Sequence, residues 1–197
     1  MGKKRAILGL RGIVLGKVTK NDITGYESEA ADINLPYAGA MNRTSKEKKQ
    51  DIYYDDTLYA QVNEILGEEV EIRLGEVDTE TLKTLGLGDY DEATEIFEGG
   101  FTPPPAQYSL RFITDTVGRL PYYFNYRVFD LTGWRFDNFA TKGDSISVCE
   151  VIVTGTFSEP RIPTLKPFAF MRLADDGKTN KAACEAFLVA AETYPRA

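Results

Sequence analysis

The chain has 197 residues, 43% hydrophobic and 27% charged, with a formal net charge of −7, which fits one domain, or one domain plus a small extension, with room for a core. It contains no His, so an imidazole base and an imidazole metal ligand are both excluded. Cys149 and Cys184 are its two cysteines; they cannot form a thiolate zinc site alone and read as reduced, buried thiols.

Tyr, Phe and Trp make up 12% of the residues, a bias toward strands. The N-terminal MGKKRAILGLRGIVLGKV has a basic-then-apolar order, but Arg11 interrupts the apolar run and no small-residue cleavage site follows. It therefore reads as a strand over 6–18 rather than a signal peptide. Ala6 stands where a myristoylation sequence needs Ser or Thr. No apolar run is long enough to span a bilayer. These features together point to a protein made and folded in a cytoplasm.

Further strands are predicted over 31–38, where Ile33, Leu35 and Tyr37 alternate, and over 52–62, with Ile52, Tyr54, Leu58 and Ala60 on one face. Residues 69–77 alternate cleanly, Val70, Ile72 and Leu74 against Glu69, Glu71 and Arg73. Strands over 107–114, 122–131, 145–157 and 167–173 follow, punctuated by Pro121, Gly133, Gly143 and Pro160. A short helix TETLKTLG is capped by Asp78 or Thr79 and stopped near Gly86 and Gly88; a second, KAACEAFLVAAET, follows Asn180 as its cap. The polar run GAMNRTSKEKKQ, 39–50, is expected to be a mobile loop, and the three prolines at 103–105 a stiff connection. A boundary near residue 175 divides a β domain, 1–175, from a C-terminal helical extension, 176–197.

Chemistry is hard to find in these segments. GIVLGK (Gly12–Lys17) is too short for a phosphate loop and has Val18 where Ser or Thr is required. The basic run Lys46–Lys49 reads as solvated loop, Asn42–Thr44 is a glycosylation sequon in form only, and Cys149 lacks an imidazole partner to act as a nucleophile. The adjacent pairs Asp55/Asp56 and Glu68/Glu69 point to opposite strand faces and cannot chelate one ion together. Glu69 and Glu71 do share a face, but Arg73 joins them. No catalytic, cofactor-binding or metal-ligating residue is assigned, and no enzymatic activity is expected.

Charge is segregated along the chain. Residues 64–98 hold 12 acidic and 2 basic side chains, and residues 1–20 hold 6 basic and none acidic. A basic end and an acidic middle on one chain suggest electrostatic self-association.

IYYDDTLYAQVN followed by GEEVEIRLGEVDTETLKTLGL resembles the major tail protein (tail tube protein) family of long, non-contractile-tailed bacteriophages, the siphophages, of Gram-positive hosts. The matching residues are the strand motif Tyr54, Asp55, Asp56 and Tyr59, the alternating strand Val70–Val77, and the short helix from Asp78 to Gly86. RLADDGK (Arg172–Lys178) resembles the family's late strand and turn. The likeness covers the first half well and the remainder loosely; the C-terminal helix departs from it.

The resemblance implies a mainly β, α+β fold: a tail-tube β-sandwich or half-barrel with a short flanking helix. Six copies would form a ring, and rings would stack into a tube that conducts DNA without binding it specifically. The partners implied are the chain itself and tape-measure, tail-tip and tail-terminator proteins, with no membrane and no cofactor. The location implied is the virion tail, assembled in the host cytoplasm. On this reading Arg43, Lys46, Lys48 and Lys49 belong to an inter-subunit loop. Glu69 and Glu71 are candidate lumen-facing residues, because acidic walls do not hold the phosphates of DNA, and Arg73 is expected to pair across strands. Two other classes stay open: a monomeric β-barrel module that holds a small ligand, and a hydrolase with paired carboxylates roughly 5 to 9.5 Å apart.

Overall fold

The computed structural model describes residues 7–35, 38–54, 57–75, 79–100, 103, 105–116, 119–137 and 150–195. The protein is mainly β, with 61% strand, and combines a large antiparallel sheet with two helices. In chain order the elements are β1 (Ile7–Asp22), β2 (Gly25–Ser28), β3 (Ile33–Leu35), β4 (Ala38–Tyr54), β5 (Thr57–Leu74), α1 (Thr79–Thr84), β6 (Gly88–Asp91), β7 (Ile96–Gly99), β8 (Gln107–Thr116), β9 (Arg119–Asp137), β10 (Glu150–Phe157), β11 (Phe168–Arg172), α2 (Lys181–Val189) and β12 (Glu192–Pro195).

The main sheet runs β12-β2-β1-β8-β9-β10-β5-β4, with β11 added to β9 and β3 added to β1; β6 and β7 form a separate hairpin. On a flat sheet β1 and β4 would stand five strand spacings apart, roughly 24 Å. Here β4 lies against β1, so the sheet curls on itself. The concave side holds one core. Ile13 and Leu15 of β1 meet Val70 and Ile72 of β5, and Leu110 and Phe129 complete it from β8 and β9. The alternation in β5 follows the sequence: Val70, Ile72 and Leu74 are buried, while Glu69, Glu71 and Arg73 take the outer face.

One mouth of this core is closed by α1. The Leu87 N–H donates to the Leu82 carbonyl at 3.0 Å and the Gly86 N–H to the Lys83 carbonyl at 2.9 Å. This pair of bonds needs a left-handed residue after the helix, and Gly86 supplies it at φ 70°. The turn carries Leu82, Leu85 and Leu87 into the core.

The C-terminal segment is tied down by charge as well as by apolar contact. Arg111, wholly buried, donates from Nη1 to the carbonyls of Leu188 (3.2 Å) and Ala190 (2.5 Å) at the end of α2. Burial pulls its pKa down and Glu192 opposes that. Arg127 Nε stands 3.5 Å from Glu192, and its guanidinium lies over the Tyr194 ring. β12 thereby covers the edge of β2. Beneath α2, Cys184 packs with Tyr123 and Leu173. Asn180 precedes the helix but makes no side-chain cap. Its amide instead bridges the Ala174 N–H and the Arg172 carbonyl, so its role is to fold the preceding turn.

Three further expectations need correction. The second helix does not run to Thr193: it stops at Val189, and Glu192–Pro195 is a strand because its backbone pairs with Gly25–Ser28. Residues 39–50 are not a loop: Ala38–Tyr54 is one strand, in antiparallel register with Thr57–Leu74. A ladder is built from backbone groups, which a polar side-chain run does not reveal. At its base Met41 packs against the core and Arg43 covers it, so the run has the anchors that a loop lacks. Likewise 52–62 is not one strand. β4 ends at Tyr54 and β5 begins at Thr57, its antiparallel partner, so the motif Tyr54, Asp55, Asp56, Tyr59 spans a chain reversal. Asp55 and Asp56 themselves lie outside the described residues, as do Tyr37, residues 145–149 and the cap candidate Asp78.

Candidate assembly surfaces

Three surfaces stand out, and each traces to a local feature of the sequence. The first is an arm. β5 pairs with β10 only from Glu68 to Leu74. Beyond that point, residues 46–54 of β4 and 57–67 of β5 pair with each other, and no further strand joins them among the described residues. Nine residues of strand extend about 30 Å. The arm leaves the sheet at a register shift between Lys46 and Glu47. Gly67 sits there with φ 145°. Of the inter-subunit candidates, Lys46, Lys48 and Lys49 have their backbone on this arm, with Lys48 opposite Glu64; their side chains lie outside the described part.

Arg43, the fourth candidate, is engaged within its own subunit. Its Nε donates to Glu68 Oε2 at 2.8 Å and its Nη1 to the Tyr126 hydroxyl at 2.6 Å. The guanidinium carbon lies 5.2 Å from the Tyr126 ring centroid. Burial pushes the Tyr126 hydroxyl pKa up, and the Arg43 charge pulls against it.

The second surface is the outer face of β5, β10 and β9. Arg135 donates to Glu71 at 3.0 Å, and Arg73 stands 3.9 Å from Asp137. Both pairs reach across β10. Ile152 of β10 lies in register between Arg73 and Arg135 and is fully buried on this charged face. The long cationic stems cover it while their heads reach carboxylates. Arg73 thus pairs across strands as expected, with Asp137 as partner. Glu69 is exposed and Glu71 half-buried on the same face.

The third is an aromatic stripe that sequence reading did not single out. Tyr122, Phe124 and Tyr126 alternate along β9, in register with Arg172, Phe170 and Phe168 of β11. Phe124 and Phe170 ring centroids are 5.6 Å apart, and Tyr126 and Phe168 5.5 Å. Phe168 and Phe170 are 47% and 57% exposed. The signal was present as period-two aromatics in both segments; what the sequence hid was that β11 would align with β9.

No protein-family model and no curated protein matches this chain. Among the described residues no group of three or more Cys, Asp or Glu is placed to hold a metal ion. No helix there is long and apolar enough to cross a membrane.

Proposed function

We propose that the chain is a structural virion subunit that polymerises as stacked rings into the tail tube of a siphophage, the tube conducting DNA during ejection. The observation that carries this reading is the β4–β5 arm. A two-stranded ribbon alone has little stability in water, and its open edges and faces need a partner. A neighbouring copy supplies one at every repeat of a ring or a stack. The curled sheet agrees with the half-barrel or sandwich that the resemblance implies, and the paired charges of the outer face suit a wall past which phosphates must slide. The tape-measure, tail-tip and terminator partners follow from the same reading. Negative-stain imaging of the purified protein at high concentration tests it: hollow tubes or rings are expected. A strict monomer at every concentration, with or without a tail initiator, overturns it.

A second reading has one observation in its favour. A groove of about 630 Å³ lies between α2 and the sheet, walled by Ile113, Pro121, Tyr123, Leu173 and Leu188, with the ion-paired Lys181 and Glu185 of α2 also in its lining. It would suit a small apolar ligand on a monomeric β module. A stable monomer that retains a hydrophobic probe there would favour this reading over the tail tube.

A further inference from the structure

The C-terminal segment α2–β12 is attached to the sheet mainly by polar ties. Of the nine residues of α2 only Cys184 is buried, and Val189 is half-exposed. The groove of about 630 Å³ lies between the helix and the sheet. Among the described residues β12 pairs with β2 alone, and Tyr194 adds a partly buried ring against Tyr26. The grip is hydrogen bonding. The Arg111 guanidinium donates to the Leu188 and Ala190 carbonyls, the Ala31 N–H to the Val189 carbonyl at 3.0 Å, and Arg127 to the Tyr194 hydroxyl at 3.2 Å. Such bonds are exchanged for bonds to water when they open, so each contributes little net stability.

The floor beneath the segment carries a cost. Asn125 is wholly buried, and neither atom of its side-chain amide has a hydrogen-bond partner. It stands opposite Arg111 in the β8–β9 register, and Arg111 Nε is unpartnered as well. Two residues to either side along β9 are Tyr123, which packs with Cys184 of α2, and Arg127, which meets Glu192 and Tyr194 of β12. Arg127 Nε and Glu192 Oε2 form an ion pair without a hydrogen bond. Six buried side-chain atoms among the described residues have no hydrogen-bond partner, and five of them belong to this floor or to its contact with β12. Buried polar atoms left unpaired are costly, and lifting the segment hydrates all five.

We propose that α2 and β12 form a releasable strap, which lifts as one unit while the sheet stays folded and so uncovers the edge of β2. A segment with few buried apolar contacts and water-exchangeable bonds opens at a lower cost than the whole fold. With β12 lifted, β2 becomes the end strand of the main sheet. An open edge is a template for another strand, so the closed strap keeps Gly25–Ser28 covered and the lifted strap presents them. This device does not rest on the tail-tube reading.

Hydrogen exchange on the free subunit tests the strap. The amides of α2 and β12, and those of β2 that face β12, are expected to exchange together, at least about tenfold faster than the paired amides of β1 and β8. The β2 amides that face β1 are expected to stay protected. Exchange of α2 and β12 only together with global unfolding overturns the proposal. Asn125→Leu keeps the side-chain volume and removes the unpaired amide. It is expected to slow exchange across α2 and β12 about tenfold, since lifting then hydrates nothing at that position. Unchanged or faster exchange in that variant shows that the amide does not burden the closed form, and overturns the proposal. A cross-link gives a second measurement that does not depend on Asn125. E27C with T193C sets two thiols at directly opposed positions of β2 and β12. The oxidised form is expected to lose the fast exchange of α2, β12 and the facing β2 amides, and reduction to restore it. Equal exchange in the oxidised and reduced forms overturns the strap.

Discussion

Gly67 lies so close to the Phe157 carbonyl that a Cβ on it would stand 2.7 Å from that oxygen. Its φ of 145° is in the region that side chains rarely adopt. Phe157 is the last residue of β10 to pair with β5, so this contact marks where the arm departs from the sheet. Gly67→Ala must shift the arm base or accept strain of about 1–3 kcal/mol. Urea denaturation is expected to show that loss. Amide exchange is expected to rise across 46–66 more than across Val70–Leu74, and assembly to fail. Equal exchange in both segments would contradict a hinge at this glycine.

Arg43 closes the side of the core where Tyr126 stacks on Phe157, at 4.1 Å between centroids. Its bond to Glu68 is partly exposed, and such pairs contribute roughly 0–1 kcal/mol. The ring contact adds a similar amount. Arg43→Ala is expected to lower stability by about 1 kcal/mol, measured by chemical denaturation. Arg43→Lys is expected to recover little, because an ammonium cannot grip Glu68 and Tyr126 together.

On the outer face, Glu71→Lys would leave Arg135 facing a like charge. The pair is exposed, so the cost to folding is at most about 1 kcal/mol. A ring multiplies each wall charge by the number of copies, and a belt of lysines would hold passing phosphates. Particles with Glu69→Lys and Glu71→Lys are expected to assemble tails and eject DNA slowly. Normal ejection from such tails would remove these two residues from the lumen wall.

Acid has a defined target in the turn before α2. The Asp176 carboxylate accepts hydrogen bonds from the Thr179 hydroxyl, the Thr179 N–H and the Lys178 N–H. These hold its pKa at about 2, against an ordinary 3.8. A depressed pKa means the folded state prefers the ionised form, so the contribution is full above the ordinary value and is lost as pH falls toward 2. Thermal melts of the wild type and Asp176→Asn are expected to differ most above pH 4 and to converge near pH 2. A constant gap would show that the carboxylate is not the titrating cause.

Tyr26 gives the alkaline counterpart. Its hydroxyl donates to the Arg127 carbonyl at 2.6 Å, and burial pushes its pKa well above the ordinary 10. The unfolded chain ionises first, so stability is full below pH 10 and falls as pH rises beyond it. Tyr26→Phe is expected to flatten that alkaline slope in urea melts at pH 9–11.

Wherever burial imposes a period, the sequence by itself determined the result. β5 alternates because one face meets the core, and Val70, Ile72 and Leu74 announce it. The end of α1 was legible because only glycine takes Gly86's backbone angle without cost. The absence of His excluded imidazole chemistry outright. Polar strands were the opposite case. Residues 46–50 carry no apolar alternation, so nothing in their composition separates a ladder from a loop; only pairing with 62–67 makes them a strand. The salt bridges from Arg135 to Glu71 and from Arg73 to Asp137 join residues more than sixty positions apart in sequence. So do the ties from Arg111 to the end of α2. Local pattern records which face a side chain takes. Which distant side chain it meets there depends on strand order and register, and those arise only when the sheet curls and its backbone groups find their partners.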